Sequence, residues 1–519
     1  MRKLDKVFRV LLYVLPGVLY FSYYPIISLG RNESMNFELS LPLVWLVVFD
    51  LVGLVVMVRR QKLFDSWGKW WWVWLLFPLW VSLSLIWSLN LVRGVLTVGI
   101  MWLVFFAGYV MWSVRRLFDD TFWVKWWRWF FGSTVLVCVW CMVQCVLDMM
   151  GVTQGYSLMC DGCTYHMFGF PHPNGFAIEP QFMGNLLLAP AIASIYYFVE
   201  KKYVDVTHGR VVVEKHHERR FSRSVTKNLL WGLLPIVILV ILFLTFSRGA
   251  IYALVVGLLF MSGFMICRVR KQKRTKCIKR VLMAWGIVFF SFVITLNIQG
   301  LMAELGSTSD TYYDGVGKVL NHLSLGLVNI KEVKPVESYE GGGKKTGEEW
   351  RKDDNELVEN FEDKDVEQPV ENYKEKPVFD GYVTESTDTR VKLTGVALKR
   401  WSNDISSMVL GVGIGGAGVA LYNNGLSSSP KEIVQNEYAS LLLEIGLIGV
   451  SLLVVMTVLV VRLVLKNPMR GLIMSLMVAY GVSLMFFSGF ANALQIYLLP
   501  MVLMALGDGY KVKRKKLVS

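Results

Sequence analysis

Two arginines in this sequence have the side chain and the setting to bind a phosphate group. Arg248 lies in the short turn Ser247–Arg248–Gly249 between two apolar segments, and Arg390 lies near the end of a long polar stretch. A guanidinium presents planar donors that bind phosphate oxygens in a bidentate manner. An interfacial arginine also reaches lipid headgroups without any catalytic role, so the position of Arg248 alone leaves both interpretations open.

The elements that must position these arginines are membrane helices. The chain of 519 residues is 54% hydrophobic and contains 19 Trp, and its mean hydropathy of +0.46 is typical of a protein solvated by lipid. We count about twelve apolar segments of bilayer length. They lie at roughly 7–29, 41–58, 71–89, 95–112, 130–149, 183–199, 229–246, 250–267, 281–298, 438–461, 471–487 and 491–506.

The distribution of Lys and Arg predicts the topology. Basic residues crowd alternate loops, as on the cytoplasmic side of membranes, whereas the short loops between them contain only Arg31, Arg93 and Arg248. Both termini are therefore expected in the cytoplasm. The chain has a net charge of +14, and its basic residues are spread over all the cytoplasmic loops. This spread favours anionic lipid headgroups over a nucleic-acid groove, and no nucleic-acid partner is expected.

Three regions follow from this topology. Residues 1–299 contain the predicted transmembrane helices one to nine, residues 300–435 form a large extracytoplasmic loop, and residues 436–519 contain helices ten to twelve and a basic cytoplasmic tail. Within the loop, residues 331–386 are rich in Glu, Lys, Asp and Gly and are expected to be disordered, because they offer too few apolar side chains to offset the entropy of ordering. The parts of the loop before and after them have apolar residues at helical spacing.

Four short segments resemble the O-antigen ligase and O-antigen polymerase superfamily. They are FGFPHPNGFAIEPQF from Phe168, FSRGAIYALVVG from Phe246, DTR at Arg390 followed by GVGIGGAG from Gly411, and VQNEYASLLLEIGLIG from Val434. Their order and their placement relative to the membrane, with the large external loop between helices nine and ten, match that family. The resemblance covers most of the chain and implies an all-α polytopic fold similar to membrane glycosyltransferases of the C type.

The same resemblance implies an activity and a location. Family members transfer an oligosaccharide from a polyprenyl diphosphate carrier to a sugar, lipid or protein acceptor on the outer side of the bacterial cytoplasmic (inner) membrane. They need no metal and no cofactor. As the bond to the anomeric carbon breaks, negative charge grows on the departing diphosphate, and cations placed there stabilise the transition state.

Site residues can be carried over where the motifs match. The resemblance implies that Arg248 and Arg390 clamp the diphosphate. Further contacts to donor or acceptor are expected from residues of the same segments: His172, Asn174, Ser247, Gly249, Gly413, Gly415, Asn436 and Glu437. The Gly-rich run lets backbone approach a ligand closely, although a flexible return to the membrane explains it equally well.

The sequence departs from the family at the residue that is thought to activate the acceptor. Ligases commonly carry a histidine before the Asn of the tenth-helix motif, whereas this chain has Gln435, which cannot act as a general base. Either another group serves as the base, with Glu179, Glu437 and His172 as candidates, or the chain belongs to a polymerase branch in which positioning dominates. We favour Glu179, which precedes Pro180 at a helix start, although a charge that merely stabilises the helix dipole is the alternative.

Two other groups invite an interpretation. Cys160 and Cys163, with His166 and His172 downstream, suggest a local disulfide or, with irregular spacing, a zinc site. Glu444 lies about two turns into the tenth helix, close enough to the outer face to pair with an arginine there.

Two other classes of function compete with the transferase. A twelve-helix transporter of an envelope precursor is the main alternative, but no internal repeat is evident, and the long external loop with its arginines weighs against it. A non-enzymatic envelope scaffold or sensor would use the acidic insert to bind partners. The cytoplasmic loops are too short for a domain that binds a nucleotide sugar.

Overall fold

The structure is a computed structural model that describes residues 2–23, 26–31, 36–59, 72–115, 120–149, 172–200, 224–269, 271–306, 311–324, 382–425, 427, 430, 433–487 and 493–518. Its first nine helices are α1 (Arg2–Tyr20), α2 (Leu41–Arg59), α3 (Val73–Leu83), α4 (Leu91–Ser113), α5 (Asp120–Met149), α6 (Pro180–Glu200), α7 (Ser224–Leu244), α8 (Arg248–Arg268) and α9 (Lys271–Gly306). They are followed by α10 (Tyr312–Leu323), α11 (Tyr382–Trp401), α12 (Ile405–Leu410), α13 (Ala417–Asn423), α14 (Glu437–Leu465), α15 (Arg470–Ser483) and α16 (Gln495–Val518). A 3₁₀ turn, Ser84–Trp87, follows α3, and an antiparallel hairpin pairs β1 (Ile26–Arg31) with β2 (Asn36–Ser40).

Several helices are able to cross a membrane. Within the described ranges, seven are long and apolar enough to do so, and they are α2, α4, α5, α6, α8, α9 and α14. The shorter apolar helices are α3 with its 3₁₀ turn, α7, α15 and α16. Each apolar segment found in the sequence overlaps one of these helices or α1. The expectation of a helical membrane protein with several spans therefore agrees with the structure, and the count of about twelve stays a prediction.

Helix α6 occupies the centre of the bundle. It packs against α7, α8 and α15, and most of its side chains are buried. Peripheral helices instead direct large apolar side chains outward, among them Leu51, Leu136 and Phe289. Because lipid tails solvate such side chains as well as a protein core does, this exposure is typical of a bilayer-facing surface.

The first helix ends earlier than the sequence predicts. The apolar run continues to residue 29, but α1 stops at Tyr20. The chain then turns toward the segment before α6, where Tyr23 N–H donates to the Phe176 carbonyl over 3.2 Å and the rings of Phe21 and Phe176 stack at 4.6 Å. Residues 26–31 form a strand instead of a helix, which is a small departure from the all-α prediction.

Two helices of the 300–435 region matter for the site. Thr311 starts α10 with a capping box in which Asp314 takes part. Helix α10 then packs closely along α9, because Gly315 lacks a side chain: a Cβ there would lie 2.6 Å from Cβ of Ala303. Helix α11 contains Arg390 and begins at Tyr382, inside the segment that was expected to be disordered. The rest of that segment, residues 331–381, lies outside the described residues.

Candidate functional site

Arg248 lies at a tightly built turn between α7 and α8. Ser247 caps α8 by accepting a hydrogen bond from Ala250 N–H at 3.3 Å, and the preceding Phe246 has a φ of 49°, a left-handed conformation that a bulky residue adopts only under strain. Arg248 itself is only 7% exposed. This burial argues against the interpretation of Arg248 as an interfacial arginine that only reaches lipid headgroups.

Glycines allow neighbouring helices to approach this turn. A Cβ on Gly184 of α6 would lie 2.8 Å from Cβ of Ser247, and a Cβ on Gly249 would lie 2.8 Å from Cβ of Phe486. Real Cβ atoms do not come this close, so both positions need glycine for the packing to persist. The first turn of α8 is thereby held against α6 and against the segment that follows α15.

Arg390 reaches the same region from α11. Its Nη2 donates to Oε1 of Gln181, in the first turn of α6, over 3.3 Å. Nε2 of Gln181 in turn donates to the Phe486 carbonyl at 2.7 Å. The side chain of Gln181 therefore joins Arg390 to α6 and to the same Phe486 that contacts Gly249.

Glu179 lies beside Arg390 at the start of α6. Its carbonyl accepts hydrogen bonds from the N–H groups of Phe182 and Met183, so its backbone caps the helix. Burial raises the pKa of the Glu179 carboxyl above its usual value, and the nearby positive charge of Arg390 offsets part of that shift. A carboxylate with a raised pKa is a stronger base than an ordinary glutamate.

His322 on α10 completes the cluster and was not among the site residues expected from the sequence. Its Nε2 lies 3.1 Å from the Phe246 carbonyl oxygen, and both Arg248 and Arg390 act on its charge. The available signal was the Thr311–Asp314 capping box, which predicts a helix carrying this histidine. We call Glu179, Gln181, Arg248, His322 and Arg390 the two-arginine cluster.

The segment before α6 supports this cluster from one side. The ring of His172 packs edge-on against Phe246, with 4.9 Å between ring centroids, which places His172 next to the Arg248 turn. Asn174 is held within its own turn: its amide accepts from Gln144 at 3.1 Å and donates to the Ala177 carbonyl at 2.9 Å. The substrate contacts expected of His172 and Asn174 stay predictions.

The start of α14 lies next to the two-arginine cluster. Asn436 caps the helix by accepting from Tyr438 and Ala439 N–H, and Gln435 before it is exposed. Glu437 is buried, and its N–H donates to the Leu484 carbonyl at 2.9 Å. That carbonyl is two residues from the Phe486 carbonyl bound by Gln181. Residues 435–437, here called the α14 motif, therefore contact the same turn of the chain as the cluster does.

The Gly-rich run belongs to a separate group of contacts. A Cβ on Gly413 would lie 2.3 Å from Cα of Ser88, and one on Gly415 would lie 2.6 Å from the backbone nitrogen of Gly94. Both glycines also have positive φ. Packing against the protein's own backbone therefore explains why glycine is needed here, and contacts from these residues to the carrier stay predictions.

Glu444 anchors the Gly-rich run from α14. Its Oε1 accepts from Ala417 N–H at 3.3 Å, and it lies close enough to Arg93 for their charges to interact. Arg93 of α4 is thus an arginine whose charge acts on Glu444, and a direct ion pair between the two stays a prediction. The hydrogen bond from Ala417 N–H holds the Gly-rich run against α14.

The expected cysteine pair falls outside the described residues, as Cys160, Cys163 and His166 all do. Within the part of the chain that is described, no group of three or more His, Cys, Asp or Glu is arranged to hold a metal ion. Metal-independent chemistry stays a prediction.

Comparison with known proteins leaves the motifs and the geometry as the guides to function. No protein-family model matches the sequence, and a search of curated proteins gives no match.

Proposed function

We propose that this chain transfers an oligosaccharide from a polyprenyl diphosphate carrier to a sugar, lipid or protein acceptor, as a surface-polysaccharide ligase or polymerase. The reaction takes place on the outer side of the bacterial cytoplasmic membrane. The chain crosses that membrane about twelve times, in a fold similar to membrane glycosyltransferases of the C type, with both termini in the cytoplasm.

One observation carries the proposal: two arginines from distant parts of the sequence meet at the first turn of α6, where Gln181 accepts a hydrogen bond from Arg390 and Gly184 packs against Ser247, the neighbour of Arg248. A diphosphate carries several negative charges, and pairs of its oxygens accept bidentate hydrogen bonds from planar guanidinium groups, so it suits a site with two arginines. Arg248 is buried, and an ion pair in such a setting is screened far less than one in water. The two-arginine cluster is thus suited to hold the carrier's head group at the end of the apolar helices that would accept its lipid tail.

In the proposed reaction, the two arginines and Glu179 have separate roles. The acceptor hydroxyl oxygen bonds to the anomeric carbon, and the bond from that carbon to the diphosphate oxygen breaks with its electron pair leaving on the diphosphate. Arg248 and Arg390 stabilise the charge that develops there. Glu179 takes the proton that the acceptor hydroxyl loses, a role for which its raised pKa suits it.

The α14 motif positions the acceptor in this scheme. Gln435 is exposed and precedes the Asn436 cap, so it is able to donate and accept hydrogen bonds but not to remove a proton. Because the motif shares a turn with the cluster through Leu484 and Phe486, an acceptor bound there lies next to the carrier. No cofactor or metal takes part in the proposed reaction.

The deciding experiment is mass spectrometry of surface glycans and carrier lipids after deletion of the gene. Single repeat units that accumulate on the carrier indicate a polymerase, and full-length chains that accumulate on the carrier indicate a ligase. Purified protein in lipid nanodiscs, given carrier-linked donor and acceptor, should form the glycosidic product. If vesicles containing the protein instead move the donor across the bilayer and no product forms, the chain is a transporter and the proposal is wrong.

A further inference from the structure

His322 is a buried imidazole in a fixed tautomer. Only 6% of the residue is exposed, and its ring packs edge-on against Phe246. Because a carbonyl oxygen only accepts hydrogen bonds, the 3.1 Å contact to the Phe246 carbonyl requires that Nε2 carries the hydrogen. In the neutral ring the lone pair is then on Nδ1.

The groups that surround the ring set its charge. Arg248 approaches from α8 and Arg390 from α11, while Tyr252 of α8 donates its hydroxyl hydrogen to the Leu323 carbonyl beside the histidine. Helix α9 packs along the other side of α10. The positive charges of both arginines act on the ring.

These surroundings keep the ring neutral. Burial, followed by the charge of Arg248, lowers the pKa of His322 to about 4, with a further contribution from Arg390 and an opposing one from the Phe246 carbonyl. At neutral pH the imidazole therefore carries no proton on Nδ1. An anion that enters next to the two cations offsets their positive charge and so favours the protonated form of the imidazole.

We propose that His322 takes up a proton when the diphosphate of the carrier enters between Arg248 and Arg390, so that donor binding and protonation of the imidazole are coupled. The inference rests on the proposed function and names the regulation of its anion site. The diphosphate offsets the field of the two guanidinium groups and attracts a third positive charge. The proton comes from water on binding and returns to water when the diphosphate leaves.

This coupling has a consequence for catalysis. The imidazolium adds a cation beside the leaving group only while the donor is bound, which supports the charge that develops as the sugar leaves. In the empty site the ring stays neutral and avoids the cost of a third buried cation. His322 is in this sense a positioning and charge-compensating residue, and Glu179 keeps the role of base.

The test measures the protonation of His322 directly. The full-length protein is labelled with ¹⁵N at its histidine rings, the His322→Gln variant assigns the signal, and farnesyl diphosphate is the probe. We expect the titration midpoint of His322 to rise by at least about three pH units with saturating probe, to near neutral pH, which is about a thousandfold change in proton affinity. By linkage, the affinity for the probe should increase as pH falls, with a steeper dependence in the wild type than in His322→Gln.

The comparison with His322→Gln removes the titration of the probe itself, and the glutamine amide retains a donor for the Phe246 carbonyl. A probe that binds saturably but leaves the midpoint well below neutral pH overturns this inference and leaves the proposed function intact. A probe that fails to bind the wild-type protein at all contradicts the anion site, and with it both proposals.

Discussion

Nη2 of Arg390 donates a hydrogen bond to Oε1 of Gln181 over 3.3 Å and so ties α11 to the first turn of α6. The same α6 touches Ser247 through Gly184. The relative position of the two arginines therefore depends on a helix that carries neither of them. Gln181 makes this connection, and its Nε2 also donates a hydrogen bond to the Phe486 carbonyl.

Gln181→Ala should weaken donor binding by about ten- to a hundredfold, the effect of losing one hydrogen bond to a charged group. The reason is that Arg390 loses its anchor on α6. Gln181→Glu keeps an acceptor for Arg390, but it loses the donor to the Phe486 carbonyl and adds a negative charge that repels the diphosphate, so it should not recover donor binding. KM for the carrier-linked donor, measured with purified protein, checks both variants. Equal KM values in the wild type and Gln181→Ala would show that Arg390 does not need this anchor.

Arg248→Lys should reduce transfer by at least about a hundredfold while leaving the protein inserted, because lysine keeps the charge but loses the bidentate geometry. Arg400→Lys is the matched control, since Arg400 donates to Asp404 and Ser407 away from the two-arginine cluster. Turnover at equal protein level is the measurement. Full activity of Arg248→Lys would remove this residue from the active site.

The sequence predicts the Arg248 turn well, because apolar segments on both sides leave no other place for the residue. It does not predict the partners of that turn. His322 reaches it through the packing of α10 on α9, and Gln181 through the packing of α6 on α8. Such tertiary contacts leave no periodic signal in the chain. For the Gly-rich run, the sequence indicates a close approach of backbone, but it cannot show that the approaching groups are Ser88 and Gly94.

Gly413→Ala should destabilise the protein by at least about 2 kcal/mol, because the new methyl group meets the Ser88 backbone and the positive φ disfavours alanine. Gly99→Ala, in the interior of α4 with open space around it, is the matched control and should be neutral or slightly stabilising. Thermal unfolding in detergent measures both. A Gly413→Ala protein as stable as the control would mean that the run is not packed as the structure shows.

Deletion of about Gly341 to Lys376, bridged by a short Gly/Ser linker, should preserve insertion and turnover. The segment is rich in charged residues and Gly, and such a composition buries little apolar surface in a fold. The segment lies outside the described residues. A deleted protein that inserts normally but has no activity would indicate that this stretch binds the substrate or a partner.

Glu179→Gln should lower turnover by about 10²- to 10⁴-fold, the usual contribution of a general base, with a smaller effect on donor binding. Because burial raises the pKa of Glu179, the carboxylate forms at a higher pH than in an ordinary glutamate. The acidic limb of the rate profile should therefore lie above the ordinary glutamate value of about 4.3 in the wild type, and the glutamine variant should lack it.

Gln435→Ala is the variant to compare with Glu179→Gln. It should lower turnover only slightly if Gln435 merely occupies the place of the family's histidine. The two variants are distinguished by turnover across pH with purified protein and carrier-linked donor. An active Glu179→Gln together with an inactive Gln435→Ala would reverse the assignment. The α14 motif would then position the acceptor without a base at Glu179, as expected of a polymerase in which positioning dominates.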